Sequence, residues 1–299
     1  MDIDKIAPGL ERLIDPMATL DVVAHGMAFG EGPGWDRRTR QLYWVDIIGS
    51  SIWKWKPGVG KELVMHPTGF ANGMTFDKQG RLLVCGWSSR NVWRMEKDGG
   101  ISILTERCDG RKYNSPNDIV MRSDGTVYFT DSAGGLVNIG MVAAGTDIQR
   151  QSEVQGVYRI SPDGKKVSLA AGTIGYPNGL AFSPDEKLLY VNDTRVNKLY
   201  VHDVRPDGSL GETREWAQLQ GSEAGAADGM KVDSEGNVYT SGPGGIHILD
   251  ASANLLGRIR FPAHVSNMCW GEDDWKTLFI TDHHCVYRTR VKVAGVPVW

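Results

Sequence analysis

Six copies of one hairpin pattern constrain the fold of this 299-residue chain more than any other feature of its sequence. Each copy has an oxygen-bearing residue, a short apolar strand, a polar turn and a second strand rich in Leu, Val and Tyr. The copies are EGPGWDRRTRQLYWVD from Glu31, NGMTFDKQGRLLVCG from Asn72, NDIVMRSDGTVYFTD from Asn117, NGLAFSPDEKLLYVND from Asn178, DGMKVDSEGNVYTSG from Asp228 and NMCWGEDDWKTLFITD from Asn267. Gly and Asp in the turns, with alternating apolar residues on either side, are typical of β-hairpins.

The spacing of the repeats predicts an all-β, six-bladed β-propeller. The copies begin at intervals of 41, 45, 61, 50 and 39 residues, and a further strand such as SIWKW or GIHILD follows each hairpin. About four strands per unit and a period of about 40–50 residues are the signature of propeller blades. We therefore expect a single domain over residues 1–299.

Two segments fall outside the repeats. Residues 1–20 are expected to form an N-terminal extension, and Asp21–Ala24 to add a strand to the last blade, because ring closure removes exposed strand edges. The longest interval contains an insertion at residues 136–155, which we interpret as a loop at one mouth of the central channel. A functional lid and a simple surface excursion both remain open for this loop.

Composition and charge narrow the range of partners. The formal net charge of −3 does not indicate binding to nucleic acid or to an anionic membrane, and no apolar run reaches the length of a membrane span. The first residues lack the pattern of a signal peptide, and the four cysteines show no zinc-site spacing. These features favour a cytoplasmic protein that acts on a small molecule, and the oligomeric state stays open.

The first residue of each copy is a carboxylate or a carboxamide in all six blades. Asn and Asp often occur at such positions because they cap turns with their own side chains, and this explanation suits Asn72 and Asn267. It does not suit Glu31, whose side chain is longer. Glu31 and Asp228 in one narrow channel would repel each other unless a cation lay between them. Carboxylate and amide oxygens suit Ca²⁺, Mg²⁺ or Mn²⁺ better than zinc or copper.

The segments EGPGWD, NSPNDIVMRSDGTVYFTD, YPNGLAFSPDEKLLYVND and DGMKVDSEGNVY resemble signature segments of the senescence marker protein/gluconolactonase (regucalcin-like) family of six-bladed propellers. The resemblance implies one divalent metal in the central channel, usually Ca²⁺, with Mg²⁺, Mn²⁺ or Zn²⁺ as alternatives. It places the ligands on Glu31, Asn178 and Asp228, with Asn117 as a fourth ligand or a substrate-binding group.

The same resemblance implies hydrolysis of a lactone, in particular of a sugar acid such as gluconolactone. Hydrolysis of other esters or of organophosphates on the same metal site is an alternative. Some family members carry an arginine two residues before the Asn117 position, where this chain has Ser115, and that departure leaves the substrate open. Trp87 in CGWSSR is a further candidate for the substrate pocket, although packing in the core or at the rim explains it better than a substrate contact.

Opening a lactone by metal-assisted hydrolysis needs a general base for the attacking water. Asp228 is one candidate and Asp193, at the end of a strand, is the other; an aspartate bonded to backbone would explain Asp193 as well. His283 and His284 follow a strand, so that at most one of them can face a given site. A binding propeller without a metal and a metal-free synthase-like propeller are the competing classes, and neither explains why Glu31 and Asp228 occur together.

Overall fold

Each hairpin repeat forms the two inner strands of one antiparallel sheet, and the six sheets follow one another around a central channel. The computed structural model describes residues 1–136 and 149–298. The predicted all-β, six-bladed β-propeller is confirmed. Blades 1 to 4 run in chain order from an inner strand beside the channel to an outer strand, whereas the outermost strands of blades 5 and 6 come from the N-terminal segment.

The strand bounds follow the repeats closely. Blade 1 contains Gly30–Asp36, Gln41–Asp46, Ser51–Lys56 and Gly60–Met65; blade 2 contains Ala71–Phe76, Leu82–Gly86, Asn91–Met95 and Ile101–Thr105. Blade 3 contains Ser115–Met121, Val127–Ser132, Gly156–Ile160 and Val167–Ala171; blade 4 contains Pro177–Phe182, Leu188–Asp193, Lys198–Asp203 and Arg214–Gln218. Blade 5 contains Met230–Val232, Val238–Gly242, Gly245–Leu249 and Leu255–Arg260; blade 6 contains Val265–Gly271, Thr277–Asp282 and Cys285–Arg290.

The N-terminal segment completes two blades. Asp21–His25 pairs antiparallel with Cys285–Arg290 and becomes the outer strand of blade 6, as the sequence predicted. The structure adds a strand that the sequence did not predict, Ile3–Lys5, which pairs with Leu255–Arg260 as a fifth strand of blade 5. The short helix Leu10–Leu13 between them buries two leucines in the apolar cluster of blades 5 and 6.

Two smaller features complete the architecture. Arg107–Cys108 and Arg111–Lys112 form a two-stranded ribbon in the connection from blade 2 to blade 3. The predicted insertion lies between the second and third strands of blade 3, and its central residues, 137–148, lie outside the described residues. No helix in the described ranges is long and apolar enough to cross a membrane.

Apolar side chains fill the spaces between adjacent blades rather than one central core, because the centre of the ring is a channel. Trp35 of blade 1, for example, stacks on Phe279 of blade 6 with ring centroids 5.5 Å apart. Such an interface is buried on both sides, so the strands that form it are rich in β-branched and aromatic residues.

An irregularity at the start of the inner strands sets the direction of the side chains in the channel. The register with the second strand shifts between Glu31 and Gly34 in blade 1, and comparable shifts occur in blades 2, 3, 4 and 6. A bulge of this kind leaves residues unpaired and re-aims a side chain. Gly32 adopts φ +52°, and a Cβ there would collide with the backbone oxygen of Asn72, so glycine lets blades 1 and 2 approach closely.

Candidate metal centre

The first residues of the six repeats are buried at the centre of the ring, although every one of them is polar. Their exposed fractions lie between 2% and 8%, for Glu31, Asn72, Asn117, Asn178, Asp228 and Asn267. Contacts that cross the ring show that these side chains share one channel. Asn267 of blade 6 donates to Glu31 of blade 1 and also to Asp118 of blade 3, on the opposite side.

Glu31 is a carboxylate among other carboxylates. Its Oε2 accepts hydrogen bonds from the backbone N–H of Gly32 and from Nδ2 of Asn267, the latter at 3.0 Å. Burial, together with the charges of Asp228 and Asp118, raises the pKa of Glu31 well above its ordinary value. A site that disfavours its own negative charge in this way is suited to a cation.

Asp228 is held by a histidine that follows blade 5. Nε2 of His264 lies 2.8 Å from Oδ2 of Asp228, and the backbone N–H of Asp228 donates to Oγ of Ser241. Nδ1 of His264 accepts from the backbone N–H of Ala226 at 3.4 Å, so the ring proton of neutral His264 lies on Nε2 and points at Asp228. Burial raises the pKa of Asp228, and the hydrogen bond from His264 opposes that shift.

Asn178 offers an oxygen that has no partner. Its Nδ2 donates to Oγ1 of Thr194 at 3.0 Å, while its Oδ1 is buried without a hydrogen bond. Asn72 likewise has a buried Oδ1 without a partner. Buried acceptors are nearly always satisfied, so these two oxygens indicate a ligand or an ordered water in the channel.

The donor set fits a hard cation that takes amide as well as carboxylate oxygens. Within residues 1–136 and 149–298, no group of three His, Cys, Asp or Glu side chains is placed to hold a metal ion. A cation between Glu31 and Asp228 would therefore need the amide oxygen of Asn178 to complete its coordination. Ca²⁺ accepts such a mixture of carboxylate, carbonyl and water oxygens.

The two candidates for substrate binding lie in blades 2 and 3. Asn117 is buried at the bulge of blade 3, at the same repeat position as Asn178. Trp87 is partly buried and packs against Gly135, where a Cβ would lie 2.7 Å from its ring and 2.8 Å from the side chain of Ser115. Trp87 thus lies beside the start of the inner strand of blade 3.

Both carboxylate oxygens of Asp193 accept hydrogen bonds from the backbone. Its Oδ2 accepts from the backbone N–H of Tyr176 and its Oδ1 from the backbone N–H of Arg195, at 3.1 and 3.0 Å. The equivalent residues of other blades also accept backbone N–H bonds from nearby loops: Asp46, Asp131 and Asp282. This shared role favours Asp228 over Asp193 as the residue that carries chemistry.

The adjacent histidines lie in the turn between Thr277–Asp282 and Cys285–Arg290, and their side chains have different partners. His284 bonds through Nδ1 to the backbone oxygen of Met27 at 3.1 Å. His283 packs against the ring of Phe29, and its ring centroid lies 5.6 Å from that of His264.

Sequence reasoning missed three residues of this channel: Asp118, Lys231 and His264. Asp118 could have been found from the sequence, because the second residue of a repeat is glycine in four other copies, at Gly32, Gly73, Gly179 and Gly229. No sequence pattern marks Lys231, which lies within an apolar strand, or His264, which lies in a connection between blades. The structure also revises the turn explanation for Asn267, because its amide group bonds to Glu31 and Asp118.

Comparison with known proteins agrees with this geometry. The family model described as the SMP-30/gluconolactonase/LRE-like region matches residues 29–284. A gluconolactonase of Zymomonas mobilis subsp. mobilis is 33% identical over 317 residues, covering 98% of this chain and 87% of the relative. A pentonolactonase of Haloferax volcanii is 26% identical, covering 89% and 85%. The solved structure of a gluconolactonase from Xanthomonas campestris has a TM-score of 0.88 at 30% identity, covering 97% and 95%.

Proposed function

The chain belongs to the SMP-30/gluconolactonase/LRE-like family, and from that premise we propose that it is a lactonase that opens the ring of a sugar-acid lactone. The relatives named as lactonases act on lactones of sugar acids with five or six carbons, and each covers most of this chain. The reaction adds water across a cyclic ester and gives a hydroxy acid.

The observation that carries this proposal is the unpartnered Oδ1 of Asn178 beside two buried carboxylates. We propose Glu31, Asn178 and Asp228 as the ligands of one divalent cation, with Asn117 as a fourth ligand or a substrate contact. The absence of sulfur and the presence of amide oxygen favour Ca²⁺ over zinc, and Mg²⁺ or Mn²⁺ would use the same donors.

The cation, when bound, would polarise the lactone carbonyl and stabilise the negative charge that develops on its oxygen. Asp228 is the proposed general base: it accepts a proton as the water oxygen bonds to the carbonyl carbon. The bond between that carbon and the ring oxygen then breaks, and the ring oxygen takes up a proton to become a hydroxyl group. His264 donates its Nε2–H to Oδ2 of Asp228 and so fixes the orientation of the carboxylate that would both hold the cation and accept the proton.

Residues beside the proposed cation would bind the substrate. Asn117 can donate through its amide to the lactone carbonyl or to a ring hydroxyl. Trp87 offers an aromatic face at the neighbouring blade, and sugars commonly pack against such faces through their apolar C–H groups. Ser115 is buried and bonds through its hydroxyl to the backbone of Ser132 and Gly135, so it offers no charged group to a substrate.

Hydrolysis of a lactone panel tests the proposal directly. Protein stripped with EDTA is assayed by proton release on glucono-δ-lactone, a pentonolactone, an aromatic lactone and an organophosphate, before and after addition of Ca²⁺, Mg²⁺, Mn²⁺ or Zn²⁺. We expect turnover of the sugar lactones only after a metal is restored. Glu31→Gln and Asp228→Asn should remain inactive with every metal, and Glu62→Gln, at a surface ion pair with Lys54, should behave as wild type.

Two outcomes would contradict the proposal. Full turnover by metal-free protein would show that the cation takes no part in the reaction. No turnover of any compound in the panel, with all four metals, would instead favour a binding propeller.

A further inference from the structure

Lys231 places an ammonium group inside the channel, beneath the proposed metal centre. Its Nζ lies 3.0 Å from the backbone oxygen of Met230, 3.1 Å from Oδ1 of Asn267 and 3.6 Å from Oδ2 of Asp118. The ammonium therefore donates to two oxygen atoms and forms an ion pair with Asp118. Lys231 also lines a cavity of about 420 Å³ at the opposite end of the channel, so it lies between that cavity and the metal centre.

Lys231 is one of two donors that fix the orientation of the Asn267 amide. Oδ1 of Asn267 accepts from Lys231 and from the backbone N–H of Met268, the latter at 2.8 Å. Nδ2 must then face the other way, toward Oε2 of Glu31 at 3.0 Å and Oδ2 of Asp118 at 3.4 Å. The reversed amide would set its NH₂ group against two donors and its oxygen against two carboxylates, which no arrangement of hydrogens could satisfy.

The fixed amide in turn holds one oxygen of Glu31. The hydrogen bonds that Glu31 receives from Asn267 and from Gly32 both end on Oε2. Oε1 is thereby left for another partner. In metal sites, substitution of a residue that orients a ligand in this manner typically weakens metal affinity by about 10- to 100-fold.

We propose that Lys231 is a positioning residue of the metal centre, which holds Glu31 in its ligand orientation by fixing the amide of Asn267. This inference rests on the proposed function, in which Glu31 is a ligand. It assigns to Asn267 the role of a donor to Glu31, and excludes Asn267 from the ligand set even though it occupies the same repeat position as Asn178.

A simpler role for Lys231 is to neutralise the buried charge of Asp118. The two roles differ in what a second substitution does. If Lys231 only balances Asp118, removal of both charges should restore normal metal binding. If Lys231 acts through Asn267, the doubly neutral variant should still bind metal weakly.

Calcium titration of metal-stripped protein by isothermal calorimetry separates the two roles. We expect Lys231→Met and Asn267→Leu each to weaken calcium binding by about 10- to 100-fold. The double variant should be no weaker than the weaker single one, because both act on the same hydrogen bond to Glu31. Lys198→Met, which removes a surface lysine paired with Glu215, is the matched control and should bind as wild type.

Turnover adds a second readout. The kcat of Lys231→Met on glucono-δ-lactone should return to the wild-type value at saturating calcium, because only the orientation of a ligand is lost. Should Lys231→Met fail to fold, Lys231→Met/Asp118→Asn carries the test, since it leaves no uncompensated charge.

Several results would overturn the inference. Wild-type calcium affinity in Lys231→Met, or in the doubly neutral variant, would show that Lys231 does not orient Glu31. Fully additive losses in Lys231→Met and Asn267→Leu would show that the two residues act independently. Absence of binding of Ca²⁺, Mg²⁺, Mn²⁺ and Zn²⁺ by the wild-type protein would instead refute the proposed metal centre on which the inference rests.

Discussion

Replacement of Glu31 by Gln should stabilise the metal-free protein and at the same time abolish its response to calcium. Glu31 is only 2% exposed, and burial with the charges of Asp228 and Asp118 raises its pKa. The carboxamide keeps an acceptor for Gly32 and Asn267 and carries no charge. The variant therefore removes repulsion among buried carboxylates without leaving a cavity.

The expected size of the effect follows from the contacts of Glu31. Neutralising Glu31 removes its repulsion with Asp228 and Asp118 but weakens the hydrogen bonds that its charge receives from Gly32 and Asn267, so the net gain should be on the order of 1–2 kcal/mol. For a chain of 299 residues that corresponds to a rise in Tm of roughly 2–3 °C. Wild-type protein should gain about 2.7 kcal/mol when free calcium is 100 times its Kd, and Glu31→Gln should gain nothing.

Thermal unfolding followed by circular dichroism at pH 8, with EDTA or with calcium, measures both effects. The order of stability should reverse between the two conditions, with Glu31→Gln above wild type in EDTA and below it in calcium. Glu62→Gln should follow wild type in both. An equal rise in Tm with calcium for wild type and Glu31→Gln would refute the assignment of Glu31 as a ligand.

Three further predictions concern residues around the channel. Burial raises the pKa of Asp131 to about 7, so its contribution to stability is present at acidic pH and is lost as the pH rises through 7. Between pH 6 and pH 8 wild type should lose about 1 kcal/mol relative to Asp131→Asn, and equal pH dependence of the two Tm values would contradict this. Asp193→Asn should lower stability by about 1–3 kcal/mol, because an amide N–H would then face a backbone N–H, yet retain calcium binding and turnover, whereas Asp228→Asn should lose both. His264→Ala should lower kcat/KM at least about 10-fold while His264→Gln, which keeps an N–H donor, should lose less; equal losses would argue against a role in holding Asp228.

The fold could be predicted from sequence because the same local solution occurs six times. Each repeat pairs a turn with two apolar strands, so the blade and its strand order follow from a single pattern. The strand Asp21–His25 was also predictable, since an open ring would leave the edge of blade 6 unpaired. Ile3–Lys5 was not, because three residues on the outer edge of a complete blade carry no repeat and satisfy no requirement for closure.

The sequence predicted those residues of the candidate site that occupy the first position of a repeat. Glu31 and Asp228 stand out because they are carboxylates at a position that other blades fill with asparagine. The sequence could not distinguish the roles of the asparagines at that position. Asn178 leaves its oxygen free and Asn267 turns its NH₂ group to Glu31, although both begin the same motif. The difference comes from Thr194, which follows the second strand of the same blade as Asn178, and from Lys231, which reaches Asn267 from the neighbouring blade 5.

His264 likewise could not be predicted from the sequence. It contacts Asp228 across 36 residues of sequence, from the connection between blades 5 and 6. The adjacent pair His283 and His284 is more conspicuous in sequence, yet His284 bonds to a backbone oxygen at the edge of the channel. Contacts made by loops depend on how the blades pack together, and no local pattern records them.

The most direct test of the account is the position of a bound cation. Crystals of the protein grown or soaked with Mn²⁺ and measured at its absorption edge would locate the ion by its anomalous signal. We predict one peak in the central channel, at about 2.0–2.6 Å from oxygen atoms of Glu31, Asn178 and Asp228, with Asn267 turned away from it. A channel without a peak at full Mn²⁺ loading, or a peak held by other side chains, would contradict the proposed metal centre.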